Sequence, residues 1–151
     1  MALFGGAVLL SNLYEDGTTN PSYKIFYGNT FIDNFGYFSG GAVYAMQYMQ
    51  EGSLGCSGIH FEGGEARGNF GLTYADGGGI ALICDDSIPK ETVTVDQSGF
   101  AKEAVTLTHP ETGTQVATVS YNPLEIKLIS INFDSNFVGQ RGSALTVKNF
   151  R

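Results

Sequence analysis

The sequence predicts an all-β chain that folds as a parallel β-solenoid, in which successive coils stack on one another. Three observations lead to this prediction. Glycine occurs 21 times among 151 residues, about twice its usual frequency, and aromatic residues make up 13% of the chain. A short Gly-rich motif recurs along the chain. A strand-like alternation of apolar side chains follows the copies of that motif.

The Gly-rich motif occurs at four places, Gly5–Val8, Gly40–Val43, Gly77–Ile80 and Gly142–Leu145. Adjacent glycines allow a sharp corner with positive φ and leave room for a neighbouring coil. A single unit of this kind cannot bury its apolar face alone, so units are expected to stack. The motif positions that we predict to be structural are Gly40, Gly41, Ala42, Val43, Gly77, Gly78, Ile80, Gly142, Ala144 and Leu145.

A second motif, F-x-x-N, precedes two of the glycine corners at the same spacing. Its copies are Phe31 to Asn34 and Phe133 to Asn136. A degraded copy has Ala66 in the Phe position and Asn69 in the Asn position, followed by a turn that is two residues longer. We expect the Phe rings to fill the core and the Asn residues to occupy a turn, where Asn tolerates left-handed geometry and bonds nearby backbone.

The residues after each glycine corner alternate with period 2, as those of a half-buried strand do. One parity is uniformly aliphatic or small and is assigned to the interior, where equivalent positions are expected to form ladders from coil to coil. These inward positions are Val8, Leu10, Val43, Ala45, Ile80, Leu82, Leu145 and Val147.

Residues 86–125 interrupt the repeat. Two Thr/Val-rich runs, Ala104–Thr108 and Gln115–Val119, flank a Pro/Gly turn and predict an inserted β-hairpin. An ordinary extra coil without the glycine signature is the alternative. The predicted organisation is therefore solenoid coils at 1–85, a hairpin excursion at 86–125 and one or more further coils at 126–151. Because neither end shows a cap, the chain is expected to be a segment of a longer repetitive protein.

The recurring GGA-[ILV] and F-x-x-N tetrapeptides resemble the repeats of the chlamydial polymorphic outer-membrane proteins. Gly40 to Val43 and Phe31 to Asn34 match that pattern best, followed by Phe133 to Leu145 and by Gly5 to Val8 as half a unit. The resemblance covers about half of the chain and concerns a class of repeat. It implies a right-handed parallel β-helix, an extracellular or cell-surface location and an adhesive or structural role.

Composition and charge exclude several classes of function. The net charge of −7 argues against a nucleic-acid interface, and no apolar stretch is long enough for a membrane helix. A nucleotide-binding loop is not expected at the Gly77–Gly79 run, because no GK[ST] follows and an apolar strand replaces the helix. We therefore expect no cofactor, no nucleic-acid partner and no insertion into a membrane.

The acidic and histidine residues that could be catalytic or bind metal are expected to have structural or solvent-exposed roles instead. Asp33 and Asp134 are one position out of phase within their motifs, so they are expected to be solvated turn residues and not a carboxylate pair. His60 is expected at a surface or sheet edge and His109 in a turn. Calcium at Asp85–Asp86 or Glu15–Gly17 is disfavoured, because the ligand spacing of a calcium loop is missing.

The sequence leaves three further features open. Cys56 and Cys84 are either a disulfide in an oxidising compartment or two buried thiols. Asp76 and Arg141, each just before a glycine corner, should be neighbours if the last two coils stack directly. Four tyrosines are expected to point outward, where they contact a glycan, a partner or an adjoining module; they are Tyr37, Tyr44, Tyr48 and Tyr74.

The function expected from the sequence is a non-enzymatic scaffold, stalk, filament or adhesin at the cell surface or outside the cell. Its expected partners are adjoining repeats or protomers of the same assembly, together with glycans or host-cell surface proteins. Two alternatives remain. A carbohydrate-binding or polysaccharide-cleaving β-helix would need two or three acids on one exposed sheet face. A β-sandwich binding module would show antiparallel pairing throughout.

Overall fold

The computed structural model describes residues 2–11, 23–48, 58–72, 77–85, 103–122, 125–139, 142 and 144–148. These residues form sixteen short strands. The strands are β1 (Ala2–Phe4), β2 (Val8–Ser11), β3 (Ile25–Tyr27), β4 (Thr30–Ile32), β5 (Phe35–Ser39), β6 (Val43–Tyr48), β7 (Ile59–Glu62), β8 (Glu65–Arg67), β9 (Phe70–Gly71), β10 (Ile80–Asp85), β11 (Glu103–Thr108), β12 (Gln115–Tyr121), β13 (Ile126–Ile129), β14 (Asn132–Asp134), β15 (Phe137–Val138) and β16 (Leu145–Lys148).

The strands of successive segments pair in parallel and make four stacked sheets. Sheet A has the order β1-β5-β9-β15, sheet B β2-β6-β10-β16, sheet C β3-β7-β13 and sheet D β4-β8-β14. The strands come in turn from four segments, which we call coil 1 (2–11), coil 2 (23–48), coil 3 (58–85) and coil 4 (125–148); sheets A and B take one strand from each coil, whereas sheets C and D take one from each of coils 2, 3 and 4. The described chain is all-β and solenoid-like, because parallel strands pair between coils and not within them.

The aliphatic ladder of sheet B follows the predicted register. Ile80 of β10 lies between Val43 of β6 and Leu145 of β16, and Val43 also pairs with Val8 of β2. Val43, Ile80 and Leu82 are fully buried. Val147 occupies an inward position of the ladder but is 45% exposed, because no described strand pairs with β16 on its other side. Burial in the ladder therefore requires a coil on both sides.

The F-x-x-N copies also align. Ala66 of β8 pairs with Phe31 of β4 on one side and with Phe133 of β14 on the other, so it occupies the Phe position of coil 3. Sheet C contributes a second aromatic pair to the core. Phe61 is buried in the core, and its ring stacks on that of Phe26 at 4.5 Å.

Coils 2, 3 and 4 each use left-handed backbone at three corners, and at the corner between sheets C and D the residue in that conformation is Gly28, Gly63 or Ser130. Gly5, Gly40, Gly77 and Gly142 have φ between 54° and 68° at the corner before sheet B, where the glycine motif predicts it. At the corner between sheets D and A, the left-handed residue is Asp33, Gly68 or Ser135, and it precedes the Asn. The Asn occupies the turn as expected but does not itself adopt this conformation. The Asn side chain is needed for a different purpose, described below.

The insertion between coils 3 and 4 contains an antiparallel hairpin. β11 pairs with β12, and the paired residues run from Glu103 with Tyr121 to Thr108 with Gln115. The turn is closed by a bond from the His109 N–H to the Thr114 carbonyl at 2.8 Å, and the Gly113 N–H donates to the His109 carbonyl at 2.8 Å. The turn residues are exposed, whereas Val119 and Tyr121 at the base of the hairpin are 2% and 0% exposed.

Candidate functional site

The three motif asparagines form a continuous ladder of side-chain hydrogen bonds. The backbone N–H and Nδ2 of Asn34 both donate to Oδ1 of Asn69, at 3.0 and 2.9 Å. The same two donors of Asn69 bind Oδ1 of Asn136, at 3.1 and 2.8 Å. Every bond between these asparagines thus runs from one coil to the next, so the ladder specifies both the spacing and the register of the coils.

The remaining amide hydrogens bind the preceding coil. Nδ2 of Asn69 donates to the Phe31 carbonyl at 2.9 Å, and Nδ2 of Asn136 donates to the Ala66 carbonyl at 2.7 Å. Asn69 is fully buried, and its side chain uses both amide hydrogens and its oxygen. This saturation explains why a polar side chain is tolerated at a buried turn.

The phenylalanine directly after each of these asparagines belongs to a second ladder, formed by stacked rings. This ladder was not predicted from the sequence. Phe70 stacks on Phe35 at 5.5 Å and on Phe137 at 5.2 Å, with ring planes within 12° of parallel. Phe35 and Phe70 are half-buried and Phe137 is 56% exposed. The signal that could have revealed it is the dipeptide Asn-Phe, which occurs in all three copies.

The stacking limits what this aromatic ladder can bind. Sugars bind aromatic side chains mainly through the ring face, and both faces of Phe70 are covered by the neighbouring phenylalanines. The ladder consequently presents ring edges to solvent along most of its length. Its main effect is cohesion between coils, with an offset aromatic pair contributing about 0.5–1.5 kcal/mol.

The outward tyrosines do not form the surface expected from the sequence. Tyr37 is 40% exposed, and its ring contacts that of Phe38 edge to face at 4.9 Å. Tyr44 is only 7% exposed, so the expectation that it lies on an open binding surface is wrong. Its hydroxyl is near Sδ of Met46, at 3.5 Å. The side chain of Tyr48 and all of Tyr74 lie outside the described residues.

His60 is buried, which corrects the expectation of a surface or edge residue. It lies in β7, the central strand of sheet C, between Ile25 and Lys127 in register, and is 1% exposed. Its Nε2 is 2.9 Å from Oε2 of Glu62. Its Nδ1 has no hydrogen-bond partner among the residues that the structure describes. His109, by contrast, lies in the exposed hairpin turn as predicted.

The base of the hairpin is attached to sheet C near this histidine. The Tyr121 hydroxyl donates to the carbonyl of Gly58 at 2.6 Å. Nζ of Lys127 donates to the carbonyl of Ser120 at 3.0 Å. The ring of Tyr23 contacts the ring of Tyr121 edge to face at 5.1 Å. The hairpin base thus contacts residues of three successive coils.

The Tyr23 hydroxyl completes this attachment through a hydrogen bond to the carboxylate of Glu103. That bond raises the pKa of Tyr23 above its ordinary value of about 10, with smaller contributions from desolvation and from the negative charge of Glu103. The bond stabilises the neutral phenol, so its contribution is fully present below about pH 10, the unfolded value, and is lost as the pH rises through the higher folded pKa.

We therefore expect Tyr23→Phe to remove one late-titrating phenol. In a spectrophotometric titration of the phenolate absorbance, the wild type should show one more tyrosine titrating above pH 10 than the variant. Glu103→Gln keeps a hydrogen-bond acceptor but removes the charge, so it should shift this phenol to lower pH without deleting it. Identical late titration in wild type and Tyr23→Phe would contradict the assignment.

The candidate acids do not converge in the described structure. Asp33 is the left-handed residue of its corner, whereas Asp134 is in β14 in register with Arg67, so the two lie one position out of phase as predicted. No group of three or more His, Cys, Asp or Glu side chains suited to a metal ion occurs in the part of the chain that is described. Asp86 and Glu15–Gly17 lie outside it, as does the side chain of Asp85.

Several further predictions also fall outside the described residues. Cys56 is one of them, and for Cys84 only the backbone, in β10, is described. Asp76 and Arg141 are likewise outside. The adjoining backbone is informative, however, because the Gly78 N–H donates to the Gly142 carbonyl at 3.2 Å. β10 also pairs directly with β16, so no coil lies between coils 3 and 4.

Comparison with known proteins identifies no relative of this chain. The chain matches no protein-family model, no curated protein and no solved structure. Among the described residues there is no helix of the length and apolarity that crossing a membrane requires.

Proposed function

We propose that the chain is a non-enzymatic structural or adhesive segment of a right-handed parallel β-helix protein that is secreted or displayed at a cell surface. The observation that carries the proposal is the pair of ladders across coils 2, 3 and 4. Asn34, Asn69 and Asn136 are bonded in series, and the following phenylalanines stack on one another. Side chains committed to cohesion between coils make a stiff rod, which suits a scaffold, stalk, filament or adhesin.

The hairpin supplies the feature through which such a rod can contact a partner. Its base is buried against the coils, whereas its turn and its Thr-rich outer face are exposed. The exposed turn is ordered by its own hydrogen bonds, including a bond from the Glu111 N–H to Nδ1 of His109 at 3.3 Å. An ordered loop loses less conformational entropy on binding than a flexible one. The proposed partners are glycans or proteins of a host or neighbouring cell.

A binding assay with a shortened hairpin tests this function. Beads coated with the protein would be presented to cultured cells and to immobilised glycans, and attachment would be counted under flow. Replacing residues 110–113 with Asn-Gly should shorten the turn while leaving the strands paired. We expect attachment to fall at least tenfold with no change in the thermal stability of the coils.

A second assay separates the proposal from its alternative. Incubation with soluble polysaccharides, followed by measurement of new reducing ends or unsaturated sugars, should show no release. Sugar release that depends on the protein would contradict a non-enzymatic role and favour a polysaccharide-cleaving β-helix. Attachment that survives shortening of the turn would exclude the hairpin as the adhesive element.

A further inference from the structure

We propose that the base of the hairpin is a strap that lies across coils 2, 3 and 4 on the outside of sheet C, and that this strap is what covers His60. The contacts that define it come from residues far apart in the chain. Tyr121 bonds Gly58 at the start of coil 3, and Ser120 accepts a bond from Lys127 of coil 4. Glu103 and Tyr121 both contact Tyr23 at the start of coil 2.

The position of His60 follows from these contacts. Its side chain is on the face of β7 opposite to the inward Ile59 and Phe61, since successive residues of a strand point to opposite faces. An outward side chain on a solenoid is normally solvated, yet His60 is 1% exposed. The two nearest strap contacts are made by Gly58, two residues before it, and by Lys127, its partner in register. A strap held at both points passes over the imidazole.

The strap contacts include two hydrogen bonds to backbone carbonyls, one bond between side chains and one aromatic contact. A segment of a folded protein can open locally without global unfolding. Opening of the strap would hydrate His60, whose Nδ1 has no partner in the closed state. The hairpin base is therefore expected to detach from the coils as a unit, and solvent exposure of the His60 side chain reports this detachment.

Acylation of histidine by diethyl pyrocarbonate tests the strap directly, because the chain contains two histidines and only His109 is exposed. In the wild type at neutral pH, His109 should react at least tenfold faster than His60, as measured by mass spectrometry of peptides. In Tyr121→Ala, the rate at His60 should rise at least tenfold while that at His109 stays the same. Amide exchange in β6 and β10 should not change, since sheet B lies outside the strap.

Milder variants decide the outcome if Tyr121→Ala does not fold. Lys127→Met removes the bond to Ser120, and Tyr23→Phe removes only the hydroxyl that binds Glu103; each should raise the rate at His60 by a smaller factor. Val116→Ser, at an exposed position near the hairpin turn, is the matched control and should have no effect. Reaction of His60 as fast as His109 in the wild type would overturn the proposal. Unchanged protection of His60 in all three strap variants, with the coils intact, would overturn it as well.

Discussion

Asn69→Ala is expected to lower the free energy of unfolding by about 3–5 kcal/mol, because it interrupts the asparagine ladder at its centre. The substitution removes four hydrogen bonds made by one fully buried side chain. It also leaves the two donors of Asn34 and the Phe31 carbonyl without these bonds, whereas the oxygen of Asn136 keeps the bond from the backbone N–H of residue 69. Each unsatisfied buried group costs about 1–3 kcal/mol. Urea unfolding followed by far-ultraviolet circular dichroism measures the change.

The matched control is Asn132→Ala, an exposed asparagine in β14. It should change the stability by less than about 0.5 kcal/mol, as surface substitutions usually do. Asn69→Asp separates the two functions of the side chain, since it keeps the acceptor for Asn34 but loses both amide donors and buries a charge. It should be at least as destabilising as the alanine variant at neutral pH. Equal stabilities of Asn69→Ala and Asn132→Ala would show that the ladder does not hold the coils together.

Gly41→Ala is expected to cost about 3 kcal/mol for a steric reason. A Cβ at this position would overlap the carbonyl oxygen of Gly78 in the next coil and would lie 2.7 Å from the backbone nitrogen of Phe70. Both obstacles are backbone atoms, so no side-chain rotation can relieve the overlap. Coils 2 and 3 would have to move apart at the corner. The measurement is the urea midpoint and slope of the variant.

Gly28→Ala is the control for the effect of adding a methyl group to a glycine corner. Gly28 has φ of +63° but no atom within 4 Å of the position of a Cβ. Its substitution should cost only the strain of left-handed backbone, about 1–2 kcal/mol. A cost at Gly41 no greater than that at Gly28 would mean that the close approach of the coils is not what requires glycine there.

Gly41 and Gly28 show which structural requirements could be predicted from the spacing of the motifs. Gly41 belongs to a repeated motif, and the need for close approach of the coils follows from the repetition. Ala66 was assigned to the Phe position from spacing alone, and its register with Phe31 and Phe133 agrees. The hairpin likewise follows from two Thr/Val-rich runs around a turn. In each case the signal is local, because it depends on alternation or on turn residues within about ten positions.

The asparagine and phenylalanine ladders could not be predicted from local sequence signals. Asn69 and Asn136 are 67 residues apart, and their bond exists only because two coils of unequal length bring the same corner into register. Local propensity suggested that Asn occupies the left-handed position, since Asn tolerates that geometry. The structure places Asp33, Gly68 and Ser135 there instead, and it uses the asparagines for bonds between coils. A propensity describes one residue, whereas a ladder depends on the neighbours above and below.

The sequence by itself determined which side chains of the sheet B ladder face the interior, where the glycine corners before it lie and which motifs repeat, because strand periodicity and glycine chemistry act within a few residues. Only the tertiary structure decided which outward side chains remain exposed. Arg67 in the central strand of sheet D has a side chain that is 48% exposed, whereas His60 in the central strand of sheet C is 1% exposed, although both are outward residues. The difference depends on what packs over each sheet from elsewhere in the chain, and no pattern local to either strand encodes it.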